Sequence, residues 1–298
     1  GFALVSSDDD LAASGGSYVT FSPSAMPDEV YTIGTGMSIG DLSGDGTTVV
    51  GGAVFDGVTP SGDYSGSSAF IWTAGGTFTN LGWFAGGGQY SFASAVDYDG
   101  TAVSGGAVTA DGQFHAFYWQ VGDETLTDLG LIGDATSSWT SAISGDGTTV
   151  IGYSGSAAFV WSVGDSAMTD IGTLGGETYV TLVSFDGDVV AGYSTATDDY
   201  GHAIRWTDGE ITDLGTLGGD YSEATAMSRD GDVIVGSYYK DSSDHAFRWV
   251  VGSDGSTGTM SDLGSLGGSD SSTVAVDVSA DGSVVVGYSA DTDSVRHG

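Results

Sequence analysis

The chain has 298 residues, room for one large domain or two ordinary ones, and 40% apolar residues supply enough material for a core. Forty acidic residues against five basic ones give a formal net charge of −35; with no basic patch to neutralise phosphates, DNA and RNA are excluded as partners. No apolar run approaches the roughly 18 residues of a membrane-spanning helix, and the absence of cysteine excludes disulfides and thiolate metal sites.

The acids are almost all aspartate; the five glutamates are Glu29, Glu124, Glu177, Glu210 and Glu223, and the single lysine is Lys240. A compact body with this charge repels itself in dilute buffer. At molar salt the Debye length falls to about 3 Å and most of that repulsion is screened. Abundant short Asp with one Lys therefore points to a saline, halophilic habitat, bound divalent cations, or both. Glycine is abundant (52) and proline scarce (3). With plentiful Val, Thr and Tyr, this composition predicts many short strands joined by tight turns.

In chain order, Gly1-Phe2-Ala3-Leu4-Val5 lacks the basic region and long apolar stretch of a signal peptide and reads as an end left after processing. Phe2–Val5 and residues 16–21 are candidate strands, and residues 1–36 are assigned to these strands plus a connection. From Met37 onward four segments recur. Strand A ends in Asp-Gly, at Asp45, Asp99, Asp146, Asp186, Asp230 and Asp281. Strand B follows at once, as in Val233-Ile234-Val235-Gly236. Strand C ends in Trp72, Trp119, Trp161, Trp206 or Trp249, preceded by Ala and Phe or Ile. Strand D carries Asp-Leu-Gly or a close variant, ending at Gly82, Gly130, Gly172, Gly215 and Gly264. The tryptophans recur every 42–47 residues, close to the roughly 40–45 residues of a four-stranded propeller blade. Each Asp-Gly lies between alternating apolar runs and reads as a hairpin turn. No segment has helical periodicity.

The count is informative: six A–B pairs but five C–D pairs. The last copy runs out at Arg296-His297-Gly298, where strand C begins, and the N-terminal segment supplies a candidate C–D pair. The expected fold is therefore all-β, one domain over residues 1–298. It is a six-bladed β-propeller of four-stranded antiparallel blades, residues 37–298 forming the repeats, with the last blade completed by N-terminal strands. Phe2, Ala3, Leu4 and Val5 would then pair beside Val284, Val285 and Val286, from the same chain or from a neighbour's. Closure within one chain removes exposed sheet edges; exchange between chains builds a head-to-tail filament.

The sequence His245-Ala246-Phe247-Arg248-Trp249, followed by the segments at 260–268 and 278–287, resembles the extracellular HAF repeat family. The resemblance covers Met37 to Gly298 and is strongest at 202–289; in the first copy Asn80 replaces the usual Asp. It implies an exported prokaryotic protein, located outside the cell or at its surface, with propeller-like β structure and no established enzymatic activity.

His115, His202, His245 and His297 share one repeat position, which reads as structural, since equivalent positions on separate blades are held apart rather than converging on a metal. The Asp of each Asp-Gly turn accepts local backbone hydrogen bonds. The B–C loops are acidic and variable. Asp198, Asp199, Asp241, Asp244, Asp291 and Asp293 are candidate oxygen ligands for Ca²⁺, which takes 6–8 such ligands, against the simpler reading of a solvated acidic rim. Tyr90, Trp139, Tyr179 and Tyr221 are candidate ligand-face aromatics. No nucleophile elbow is present, the Gly-rich stretches are hairpins rather than phosphate loops, and no catalytic residue is assigned. The function expected is a non-catalytic extracellular structural, adhesion or binding module. Its partners would be a cell-surface protein, a polysaccharide or itself; the alternatives are a filament subunit and a polysaccharide-acting hydrolase or lyase.

Overall fold

The computed structural model describes residues 20–21, 31–32, 37–59, 62–75, 77–255, 257–268, 271–293 and 295–298. Regular structure among them is entirely β, as the composition predicts, and no helix there is long and apolar enough to cross a membrane. The chain divides into two compact units, Gly1–Ile143 and Ser144–Gly298. The six repeats supply six antiparallel sheets; five have four strands and the last has three, and a short pair, Thr20–Phe21 with Tyr31–Thr32, stands apart.

The first unit holds repeat 1 (Met37–Leu42, Thr48–Thr59, Gly62–Thr73, Thr77–Gly82), repeat 2 (Ser91–Val96, Ala102–Val108, Phe114–Gln120, Thr127–Gly130) and strand A of repeat 3 (Ser138–Ile143). The second unit holds the rest of repeat 3 (Thr149–Ser154, Ala157–Ser162, Thr169–Asp170) and repeat 4 (Gly175–Val183, Val190–Ala196, Gly201–Thr207, Glu210–Gly215). Repeat 5 (Tyr221–Met227, Val233–Lys240, Ser243–Val251, Gly258–Asp262) and repeat 6 (Thr273–Val278, Val285–Ala290, Arg296–His297) follow.

Short-range chemistry explains why these segments fold alike. In the A–B turn a serine two residues before the Asp donates its hydroxyl to the carboxylate. Ser228 Oγ to Asp230 Oδ1 is 2.6 Å, and the same Oγ accepts the Val233 amide at 2.9 Å. Ser43, Ser144, Ser184 and Ser279 repeat the arrangement, while in repeat 2 Asp97 takes the serine's place and accepts both Thr101 and Ala102 amides. The turn glycine has positive φ, +70° at Gly231, and a Cβ there would stand 2.6 Å from Val189 Cβ of the preceding repeat. Position and neighbour thus both demand glycine. In strand D the Asp accepts the amide of the glycine two residues on, as Asp213 does from Gly215 at 2.8 Å. Asn80 does the same for Gly82, so the change in the first copy preserves the turn.

Strand C is the buried heart of each of the five four-stranded sheets. Phe70, Phe117, Phe159, Ile204 and Phe247 are fully buried, each worth about 2–3 kcal/mol of apolar transfer. Successive sheets pack face to face within a unit. One cluster joins Val50, Ile71 and Leu81 of repeat 1 to Ala93, Val103 and Phe117 of repeat 2; a second joins Ala191, Ala203 and Leu214 of repeat 4 to Ile234, Phe247 and Trp249 of repeat 5. Serines at the start of strand A staple neighbouring repeats. Ser222 Oγ accepts the Ala203 amide and donates to Gly215 O, both at 2.8 Å. The A–B turns are also linked in series, Phe185 N to Arg229 O at 2.8 Å and Arg229 N to Ala280 O at 2.9 Å.

In repeat 6, Arg296–His297 opens strand C. His297 pairs with Ser289 in the register that sets His202 against Ser194. The candidate completing strand Phe2–Val5 lies outside the described residues.

Candidate functional site

Strand B of repeat 6 differs from its siblings in exposure rather than in sequence. Val233 and Val235 in repeat 5 are 6% and 0% exposed, whereas the equivalent Val284 and Val286 are 56% and 55% exposed. In repeat 5 strand C pairs along the whole of Val233–Lys240. In repeat 6 the described strand C reaches only Ser289 and Ala290. A groove of about 330 Å³ is lined by Ala246, Leu263, Leu266, Ala275, Val285 and Val286, with Gly287 and Tyr288. Leu263 and Leu266 beside it are exposed. Of the three valines singled out from sequence, Val285 and Val286 line this groove and Val284, next to them in sequence, is exposed.

The candidate aromatics fall into two groups. Tyr90 and Trp139 are exposed in the first unit, and Tyr90 lies 6.1 Å from Phe114. Tyr179 and Tyr221 in the second unit are joined through Tyr193. Tyr179 stacks on Tyr193 at 4.9 Å, Tyr193 meets Tyr221 edge-on at 5.7 Å, and Tyr153 extends the row at 6.1 Å from Tyr179. Tyr179 donates to Glu177 at 2.6 Å and Tyr221 to Glu223 at 2.7 Å. Burial, then the Glu223 carboxylate, pushes the Tyr221 phenol far above its ordinary value. Sequence reasoning missed Tyr153 and Tyr193; the Gly-Tyr pair recurring in strand B was the available signal.

The candidate Ca²⁺ ligands stand on three different hairpins. Asp198 Oδ2 lies 3.3 Å from His202 Nε2, and Asp291 Oδ2 lies 2.8 Å from His297 Nε2. Asp291 also accepts the Asp293 and Val295 amides, and Asp199 and Asp241 sit in the left-handed region at φ +69° and +51°. Among the described residues no three His, Asp or Glu side chains gather to hold a metal. The histidines take structural places. His115 and His202 hold strand-D carboxylates, Asp128 and Asp213, each at 2.8 Å.

No protein-family model matches the chain, and no curated protein matches it either. Solved structures do. Dipeptidyl peptidase 4 from Porphyromonas gingivalis aligns over 92% of this chain and 45% of its own, at 12% identity and a TM-score of 0.57. The β-propeller domain of the Trilobed protease from Pyrococcus furiosus, described as having an open velcro topology, aligns over 94% of this chain and 86% of its own, at 9% identity and a TM-score of 0.51. TolB from Acinetobacter baumannii aligns over 88% and 62%, at 12% identity and a TM-score of 0.45. The chain thus spans 62% of that TolB and less than half of the dipeptidyl peptidase. At such identities the likeness is one of fold: this is an all-β chain of the β-propeller class, with six blade-like sheets.

Proposed function

We propose that the chain is a non-catalytic extracellular binding or structural module on a six-bladed β-propeller, and that its own segment Phe2–Val5 completes the sixth blade by strand addition along Val285–Tyr288. The carrying observation is the exposure of Val284 and Val286, more than half accessible where their counterparts in repeat 5 are buried. An open edge flanked by apolar side chains favours an apolar strand, since backbone pairing supplies affinity and side-chain pockets supply selection. Phe-Ala-Leu-Val has that character. His297 already occupies the first place of strand C, so the incoming residues would fill the places held by Phe247 and Trp249 in repeat 5. The resemblance to HAF repeats supports the extracellular assignment. The non-catalytic reading rests on the likeness of the A–B turns, in five of which the Asp carboxylate takes the hydroxyl of a serine two residues earlier.

The chain has no cysteine, so an engineered pair reports pairing cleanly. Leu4→Cys with Val286→Cys should oxidise to a monomer cross-linked within one chain. A ladder of linked chains would overturn closure in favour of exchange between molecules, and no cross-link at all would remove Phe2–Val5 from the edge. Turnover of a neutral or acidic glycan, abolished by one Asp or Glu substitution, would overturn the non-catalytic reading.

A further inference from the structure

The repeats serve as one another's controls, and repeat 5 departs from them at one place. In repeats 2 and 4 the strand-C histidine grips the strand-D aspartate. In repeat 5 His245 is buried and stacks on Tyr238 instead, with ring centroids 5.1 Å apart, while its Nε2 lies 3.3 Å from Lys240 O. Tyr238 stands directly opposite His245, where the other repeats place Ala107, Ser194 and Ser289 opposite their histidines. Burial, and after it the nearby Asp262 carboxylate, raise the Tyr238 phenol above its ordinary value. The exchange opens a pocket of about 360 Å³ between the B–C hairpin and the Gly264–Gly268 loop, lined by Tyr238, Lys240, Asp241, His245, Asp262 and Ser265. Small-molecule sites span roughly 300–1,000 Å³ and carry a few convergent polar groups.

Lys240, the only lysine, borders this pocket. Its ammonium donates to Leu217 O at 3.2 Å. Every ion pair among the described residues belongs to a histidine, so in a chain with 40 acids this cation is left without a carboxylate partner and with two N–H donors to spare. The backbone is unusual here too. Leu217, Asp241 and Ser242 all have positive φ (+52°, +51° and +69°), a conformation that costs about 1–3 kcal/mol per residue and persists where surroundings impose it.

We infer that this pocket binds a small zwitterion of the α-amino acid class, its carboxylate on Lys240 and its ammonium between Asp241 and Asp262. One cation beside two carboxylates matches a ligand carrying both signs a few ångströms apart. A simple anion would meet the field of a −35 chain, whereas a zwitterion brings no net charge. The inference goes beyond the module reading and is independent of how the sixth sheet is completed.

Isothermal titration of the 298-residue chain with L-alanine, L-phenylalanine, L-lysine and L-glutamate tests it, each beside its methyl ester and its N-acetyl derivative. At about 10 mM ligand even a millimolar Kd fills most of a site. At least one free amino acid should bind with one-to-one stoichiometry. Capping either end should weaken it at least tenfold, as should Lys240→Met. Asp241→Asn, on the exposed hairpin, should weaken it likewise without disturbing the fold, which a melting curve checks. Absence of binding by all four, equal binding of the capped forms, or unchanged affinity in folded Lys240→Met or Asp241→Asn would each overturn the assignment.

Discussion

Ser104 lies in the middle of strand B of repeat 2, fully buried, and its hydroxyl has no hydrogen-bond partner. At the same place repeats 1, 3, 4 and 5 carry Val50, Ile151, Ala191 and Val235, all fully buried. Burying an unsatisfied hydroxyl costs about 1–3 kcal/mol. Ser104→Ala removes that cost and loses only the packing of one oxygen atom, so we expect a net gain of about 1 kcal/mol, or about 2 °C in Tm for a chain of this size. Ser104→Val should gain less, because it adds a methyl group where the neighbouring strands have set their spacing around serine, and overpacking costs about 1–3 kcal/mol. Urea unfolding at fixed salt measures both. The midpoint should rise for alanine with an unchanged slope, the mark of altered stability rather than altered compactness. If Ser104→Ala lowers stability by about 1 kcal/mol or more, the hydroxyl is hydrogen-bonded in solution and the reasoning fails.

Two glycines with positive φ separate strain from crowding. Gly231→Ala meets Val189 at 2.6 Å, whereas Gly209→Ala, at φ +84°, meets nothing within 4 Å. The first should cost about 2–4 kcal/mol and the second about 1–2, and equal losses on chemical denaturation would discredit the turn-to-strand packing. The Ser279 hydroxyl, with the Ser283 amide, holds the Asp281 pKa down to about 2, from 3.8. A carboxyl depressed in the folded state stabilises fully above its unfolded value and loses that contribution as pH falls from about 4 toward 2. An NMR titration should find Asp281 near 2 and rising in Ser279→Ala; an ordinary value in the wild type would contradict the turn geometry. Finally, Tm should climb as NaCl goes from 0.1 to 1 M, because the Debye length shrinks from about 10 to 3 Å around a charge of −35. A flat response would mean that surface repulsion does not limit stability.

The A–B turns, the strand-C tryptophans and the Asp-Leu-Gly ends were legible because each is enforced within a few residues and repeated. Ser228, Asp230 and Gly231 make their turn with one another, whatever packs outside. The place of the histidines was legible for the same reason, although the aspartates they hold, Asp128 and Asp213, belong to the next strand and emerge only from the register. What escaped the sequence depends on contacts between strands. Tyr193 joins Tyr179 to Tyr221 because strand B of repeat 4 places it between two A strands. The pocket of repeat 5 follows from one exchange, Tyr238 for a small residue, whose consequence is visible only once His245 is set opposite it. The aspartates singled out as candidate metal ligands fall two to a hairpin on three hairpins, and the register alone shows that Asp198 and Asp291 each engage a turn amide and a histidine.

The Asp-Gly turns carry a consequence for the protein's chemical lifetime. Among aspartyl steps Asp-Gly is the least hindered toward cyclisation, since the glycine nitrogen can attack the aspartyl side-chain carbon and leave an isomerised backbone. Here that nitrogen already donates to a carbonyl, Gly46 to Ser43, Gly147 to Ser144, Gly231 to Ser228 and Gly282 to Ser279, at 2.8–3.0 Å. The carboxylate it would attack is tethered by a serine hydroxyl. The hydrogen bonds that shape the hairpin thus engage both the amide and the carboxylate, so in these four repeats the Asp-Gly step should isomerise more slowly in the folded chain than in the unfolded one.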